Sequence, residues 1–117
     1  KEEQFIKVAG KNAEGVYATG PTDVSKLPMN IQAHENHKKK YGTEPGAFYD
    51  NAYSATVALL EAIKAAGSTD SQKIMEALRT NMVETPLGKF KFDAKSDAEG
   101  IGFSIYEVKD GKFVELK

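Results

Sequence analysis

Three aromatic rings and one acid stand together in Phe48-Tyr49-Asp50-Asn51-Ala52-Tyr53, directly after the breaker sequence Glu44-Pro45-Gly46. They open the longest apolar helical pattern in the chain. They therefore fall where helix N–H groups have no intrahelical partner. In open α/β sheets, ligands sit at strand C-ends and helix N-ends. Aromatic walls there could enclose an apolar ligand, and Asp50 could accept from an ammonium group. The plainer reading makes Phe48 and Tyr53 ordinary core and Asp50 a helix cap. Residue types alone leave both readings open.

Other groups carry less chemistry. His34 and His37 are three apart, with Glu35 between them. A shared helix face could begin a metal site, but spacing places no further ligand, and no metal is expected. His34 reads as a surface residue and His37 as a packed ring. Asp93 and Asp97 flank a polar loop, without the remaining ligand positions or the glycine of a calcium loop. Lys38-Lys39-Lys40 reads as a solvated helix end, with no interleaved aromatics to bind nucleic acid. There is no phosphate-binding glycine loop, no Gly-x-Ser-x-Gly elbow and no His-Glu-x-x-His helix. The 117 residues include no cysteine, which excludes thiolate nucleophiles, thiolate zinc sites and disulfides. With no assembled nucleophile, base or metal set, the chain does not read as an enzyme, and no cofactor is expected.

The elements that must position the aromatic cluster follow from periodicity and breakers. Lys1 to Gly10 fits either a helix tail or a short strand. Gly15 to Thr19 is β-prone and reads as a mostly buried strand, ended by Gly20-Pro21. Met29 to Tyr41 reads as a helix, entered at Pro28 and stopped at Gly42. Met29, Ala33, His37 and Tyr41 lie on one line at spacing four. The next helix runs from about Ala47 to Ala66, with Gly67 as its stop. Its alanines, with Val57, Leu59, Leu60 and Ile63, cover most of the circumference, so it should lie between a sheet and other structure. Thr69 and Gln72 stand at capping-box spacing before a helix over about 70–80. That helix carries an Ile74, Leu78, Met82 stripe. Lys89 to Phe92 alternates as a strand at about 88–93, with Phe90 and Phe92 on one face. Asp93 to Gly100 reads as a polar loop. Asp110-Gly111 between two β-prone runs predicts a hairpin pairing Val108 with Phe113 and Ile105 with Leu116. Mixed helices and strands favour an α/β or α+β architecture.

Composition sets the outer bounds. At 40% hydrophobic and 28% charged, the chain is globular in type. Sixteen basic against seventeen acidic residues give a net charge of −1, too little to gather nucleic acid or an anionic membrane. The chain begins at Lys1, and methionine occurs only at 29, 75 and 82. The expectation is an N-terminus created by processing, proteolysis or experimental design.

The order of segments resembles one family. The residues that carry it are Pro45-Gly46-Ala47-Phe48-Tyr49-Asp50-Asn51-Ala52-Tyr53, Ala65-Ala66-Gly67-Ser68, and Lys73-Ile74-Met75-Glu76-Ala77-Leu78. Thr85-Pro86-Leu87-Gly88, Phe92-Asp93 and Tyr106-Glu107-Val108-Lys109-Asp110-Gly111-Lys112-Phe113 continue it. Together they resemble the C-terminal third of the leucine/isoleucine/valine-binding proteins, the extracytoplasmic receptors of branched-chain amino-acid ABC importers. The resemblance implies an α/β chain, part of a two-lobe type I periplasmic-binding fold. It implies helices on a mainly parallel sheet, a C-terminal hairpin and a ligand in an interlobe cleft. It assigns 1–20 to the second lobe, 21–100 to the first and 101–117 to the second again, with Gly20, Pro21 and Gly100 at hinges. Phe48 falls where the family sets an aromatic against the ligand side chain, and Tyr49 and Asp50 flank it. Ala33 and His37 stand where bulkier aromatics are common in the family.

The implied partners are a small amino acid, a membrane permease and the remainder of the receptor chain, in the periplasm or another extracytoplasmic space. Most ligand-carboxylate and ammonium contacts of the family come from the missing N-terminal two thirds. The chain thus reads as a receptor fragment that alone binds amino acid weakly or not at all. Self-association could cover an unpaired sheet edge. A small-molecule sensor of the same fold, or a self-standing interaction domain, is the alternative.

Overall fold

The computed structural model describes residues 3–46 and 48–116. Ala47, the expected start of the long helix, lies outside them, as do Lys1, Glu2 and Lys117. The chain divides into two compact units. One comprises the residues up to Asp23 together with those from Gly102 onward, and the other spans Val24–Ile101.

The first unit holds helix α1 (Glu3–Ala9), a 3-10 turn (Gly10–Ala13) and a three-stranded sheet. Its strands are β1 (Tyr17–Pro21), β5 (Phe103–Lys109) and β6 (Lys112–Glu115), in the order β1-β5-β6. The ambiguous N-terminal segment is thus helical over Glu3–Ala9. The hairpin has the expected register. Val108 faces Phe113, and the Leu116 N–H donates to the Ile105 carbonyl at 2.8 Å. Asp110 and Gly111 both take positive φ, as a twist-matched two-residue turn requires. Tyr106 and Val108 lie buried on one sheet face, and Ala13 and Gly20 are buried in the same unit. Burial pushes the Tyr106 hydroxyl above its ordinary range, and the Glu115 and Asp23 carboxylates push the same way. That hydroxyl donates to the Pro21 carbonyl.

β1 departs from expectation at both ends. Gly20 and Pro21 do not break the strand; they pair with Ser104 and Phe103. Pro21 is tolerated because β1 lies at the sheet edge, where a missing N–H costs no ladder bond. Nor is the strand mostly buried: of its residues only Gly20 is.

The second unit carries α2 (Pro28–Tyr41), α3 (Tyr49–Ala66), α4 (Ser71–Thr80) and the short sheet β2 (Val83–Thr85), β3 (Gly88–Phe92) and β4 (Ala98–Glu99). Pro28 occupies the first turn of α2, and Gly42 and Gly67 close α2 and α3 in the left-handed conformation. Ala58, Val83 and Phe90 form the core, flanked by Val57, Leu78, Phe92 and Ile101. Phe90 and Phe92 do share a face, their rings edge to face at 5.6 Å. On α3 the small residues Ser54, Ala58 and Ala62 make a buried line at spacing four. The expected cover on several sides is absent among the described residues: Leu59 and Leu60 are 46% and 60% exposed. No described helix is long and apolar enough to cross a membrane.

Three expectations are corrected here. Every strand pairing among the described residues is antiparallel, not mainly parallel. Parallel neighbours need a crossover of a dozen or more residues, whereas the links β2–β3, β3–β4 and β5–β6 are short. Met82 lies beyond the end of α4 and is 55% exposed, so Leu78 of the expected stripe carries the packing face together with Ala77. The cap of α4 is Asp70, not Thr69. One Asp70 carboxylate oxygen accepts the N–H groups of Gln72 and Lys73, both at 3.1 Å. Asp70→Ala is expected to destabilise α4 by about 1 kcal/mol, seen as faster amide exchange confined to its first turn. An unchanged exchange pattern would refute the cap.

Candidate functional site

The three rings of the 48–53 cluster do not form one wall. Tyr49 turns toward α2 and Tyr53 lies beside it, while Phe48 is 82% exposed. Tyr49 sits centrally, with ring centroids 5.7 Å from His34, 4.9 Å from His37 and 5.8 Å from Tyr53. Its hydroxyl donates to the Ala33 carbonyl at 3.1 Å, and burial pushes its pKa up. Asp50, in the first turn of α3, accepts from His34 Nε2 at 2.8 Å. An acid there also complements the helix dipole. The residue pairs 33–49 and 34–50 thus join adjacent positions of α2 to adjacent positions of α3.

The histidine protons follow from their partners. A carboxylate and a carbonyl can only accept, so His34 Nε2 carries a proton toward Asp50. His37 Nδ1 likewise carries one toward the Thr43 carbonyl, at 3.0 Å. His37 is the packed ring expected of it, lying against Tyr41 and Tyr49. His34 is more than a surface residue, because it is Asp50's partner. The sequence carried one hint of this: His34 adjoins the Ala33–His37 line of α2. Lys38 and Glu44 form an exposed ion pair across the same connection.

Phe48 itself is the N-cap of α3, at φ 65° and ψ 3°, and its side chain caps nothing. The Ala52 N–H donates to its carbonyl at 3.0 Å, so it is the last residue before the regular helix. The left-handed region costs an L-residue about 1–2 kcal/mol, and a bulky aromatic there is an outlier. An exposed ring gains little burial to offset that. The neighbouring bonds can: a hydrogen bond to a charged group contributes about 1.5–3 kcal/mol and a neutral one about 0.5–1.5.

The remaining candidates are placed as follows. Gly20 and Pro21 lie within β1, and Gly100 follows β4 with φ 104°. A Cβ on Gly100 would run into the Lys89 carbonyl. Asp93 builds a turn: its Oδ1 accepts the N–H groups of Lys95 and Asp97, at 2.8 and 2.9 Å. Among the described residues no three His, Cys, Asp or Glu side chains are grouped to hold a metal.

Comparison with known proteins extends this geometry. A family model described as periplasmic binding protein matches residues 1–112. A leucine-, isoleucine-, valine-, threonine- and alanine-binding protein of Pseudomonas aeruginosa is 38% identical over 115 residues, covering 97% of this chain and 31% of that protein. A Leu/Ile/Val-binding protein of Escherichia coli is 30% identical over 100 residues, covering 86% of this chain and 27% of its own length. The crystal structure of a leucine-binding protein from Thermotoga maritima superposes with a TM-score of 0.78 at 30% identity, over 98% of this chain and 33% of that one. The chain therefore spans about a third of the length of such relatives.

Proposed function

The chain belongs to the periplasmic binding protein family, and from that premise we propose that it is part of the extracytoplasmic solute-binding component of an ABC importer for branched-chain or related amino acids. Val24–Ile101 is assigned to the receptor's first lobe. The unit built from the two chain ends is assigned to the second. Gly20, Pro21 and Gly100 stand near the two crossings and are proposed to accommodate closure. The ligand cleft is completed by the remainder of the receptor chain, and the membrane partner is the permease.

One observation carries the reading: Phe48 holds its ring exposed from a left-handed backbone at the head of α3. Strained residues concentrate at ligand sites, where surrounding structure over-determines them. A ring so presented offers an apolar wall to an aliphatic side chain. It makes no demand on the ligand's charged groups, which other parts of the receptor must meet.

The test is calorimetric titration of leucine, isoleucine and valine into the receptor carrying this segment, with and without Phe48→Ala. Losing an apolar contact of about 1.5–3 kcal/mol weakens binding about 10- to 150-fold. An affinity that Phe48→Ala leaves unchanged for all three would remove Phe48 from the site.

A further inference from the structure

We infer that Asp50 and Tyr49, through His34 and the Ala33 carbonyl, are positioning residues that hold Phe48 in its left-handed, ring-out conformation. The inference rests on the reading of Phe48 as a ligand contact, and it gives its two neighbours a different task from that residue. Asp50 Oδ1 is engaged by His34 and the Tyr49 hydroxyl by Ala33, so each side chain commits one polar atom to α2. They are the first two residues of α3, and Phe48 immediately precedes them.

The mechanics are local. Phe48 has no side-chain bond of its own at the cap, and Gly46, two residues earlier, accepts the Tyr49 N–H at 3.3 Å. The Tyr49 and Asp50 side chains add direction from the α3 side. Two bonds at successive residues fix both the rotation and the height of the first turn of α3 against α2. Phe48 meets that fixed turn with a positive φ. Without those bonds the first turn can unwind, and Phe48 relaxes to the negative φ that an L-residue prefers. A ligand needing the ring-out state then binds only the fraction that retains it, and apparent affinity falls by that fraction.

Nuclear magnetic resonance of the 117-residue chain tests this without ligand. The sign of φ at Phe48 is read from its amide-to-Hα coupling and intraresidue cross-peak. Asp50→Ala and His34→Ala are expected to shift Phe48 to negative φ while α3 beyond Ser54 stays helical. Asp50→Asn and His34→Gln keep an acceptor and a donor, and should keep the positive φ. His34→Ala removes the same bond from the α2 side, so it decides the matter if Asp50→Ala does not fold. A positive φ persisting in both alanine variants would overturn the inference.

The ligand reading has its own readout. In the receptor, Asp50→Ala should weaken leucine binding by about tenfold if one tenth of the ring-out population remains, and should add nothing on a Phe48→Ala background. If φ shifts but Phe48→Ala leaves binding intact, the positioning role stands and the ligand role falls. The reverse pattern separates them the other way.

Discussion

Phe90→Ala is expected to destabilise the unit spanning Val24–Ile101 by about 3–5 kcal/mol, the range for deleting a buried aromatic side chain. Phe90 is 4% exposed and packs with Ala58 of α3 and Val83 of β2, with the Phe92 ring edge-on. Small residues line the α3 side, so that helix offers no long side chain to swing into the vacancy. The cost is large against the about 5–15 kcal/mol that typically holds a domain. Urea denaturation gives the magnitude, and residue-resolved amide exchange gives the place, with α3, β2 and β3 exchanging fastest. Phe90→Leu should cost markedly less. A loss below about 1.5 kcal/mol for Phe90→Ala, the level of a tolerated core swap, would mean that the ring is not enclosed as described.

Gly100→Ala carries the second large effect, by a different mechanism. The glycine has φ 104°, and an added Cβ would intrude on the Lys89 carbonyl and lie 3.4 Å from the Phe90 Cα. The obstacle is backbone. Lys89 and Phe90 pair with Glu84 and Val83 of β2, and Lys91 and Phe92 pair with β4, so Lys89 cannot shift alone. The backbone conformation adds about 1–2 kcal/mol and the intrusion about 1–3 kcal/mol. Gly111→Ala is the control, because Gly111 has φ 69° with open space around it. It should show the conformational cost alone. Equal thermal shifts for the two variants would disprove the close approach at Gly100.

Much of the local structure was legible because its causes are local. Gly42 and Gly67 ended helices where only glycine adopts a left-handed backbone at no steric cost. Asp110-Gly111 set the hairpin register for the same reason. β2 and β4 escaped notice: three and two residues are too short to show a period. Both exist because β3 offers them an edge. The Thr69 reading missed by one position because a carboxylate competes better than a hydroxyl for the same N–H groups.

At the candidate site, residue types marked 48–53 as the place to look, and family resemblance singled out Phe48. What they left undecided was which rings face outward. An aromatic beside a helix start has the same composition whether it lines a pocket or packs on its neighbour. Helix α2, approaching α3 from sixteen residues upstream, separates the two cases. It takes up Tyr49 and Asp50 through Ala33 and His34 and leaves Phe48 uncovered. The sequence by itself thus determined the types of the longer elements, turn geometry and family, all of which follow from backbone preferences and short-range order. Only the tertiary structure decided the pairing of β1 with β5, the face of α3 that is buried and the division of labour at its first turn. Those depend on which distant residues meet, and no spacing along the chain encodes that.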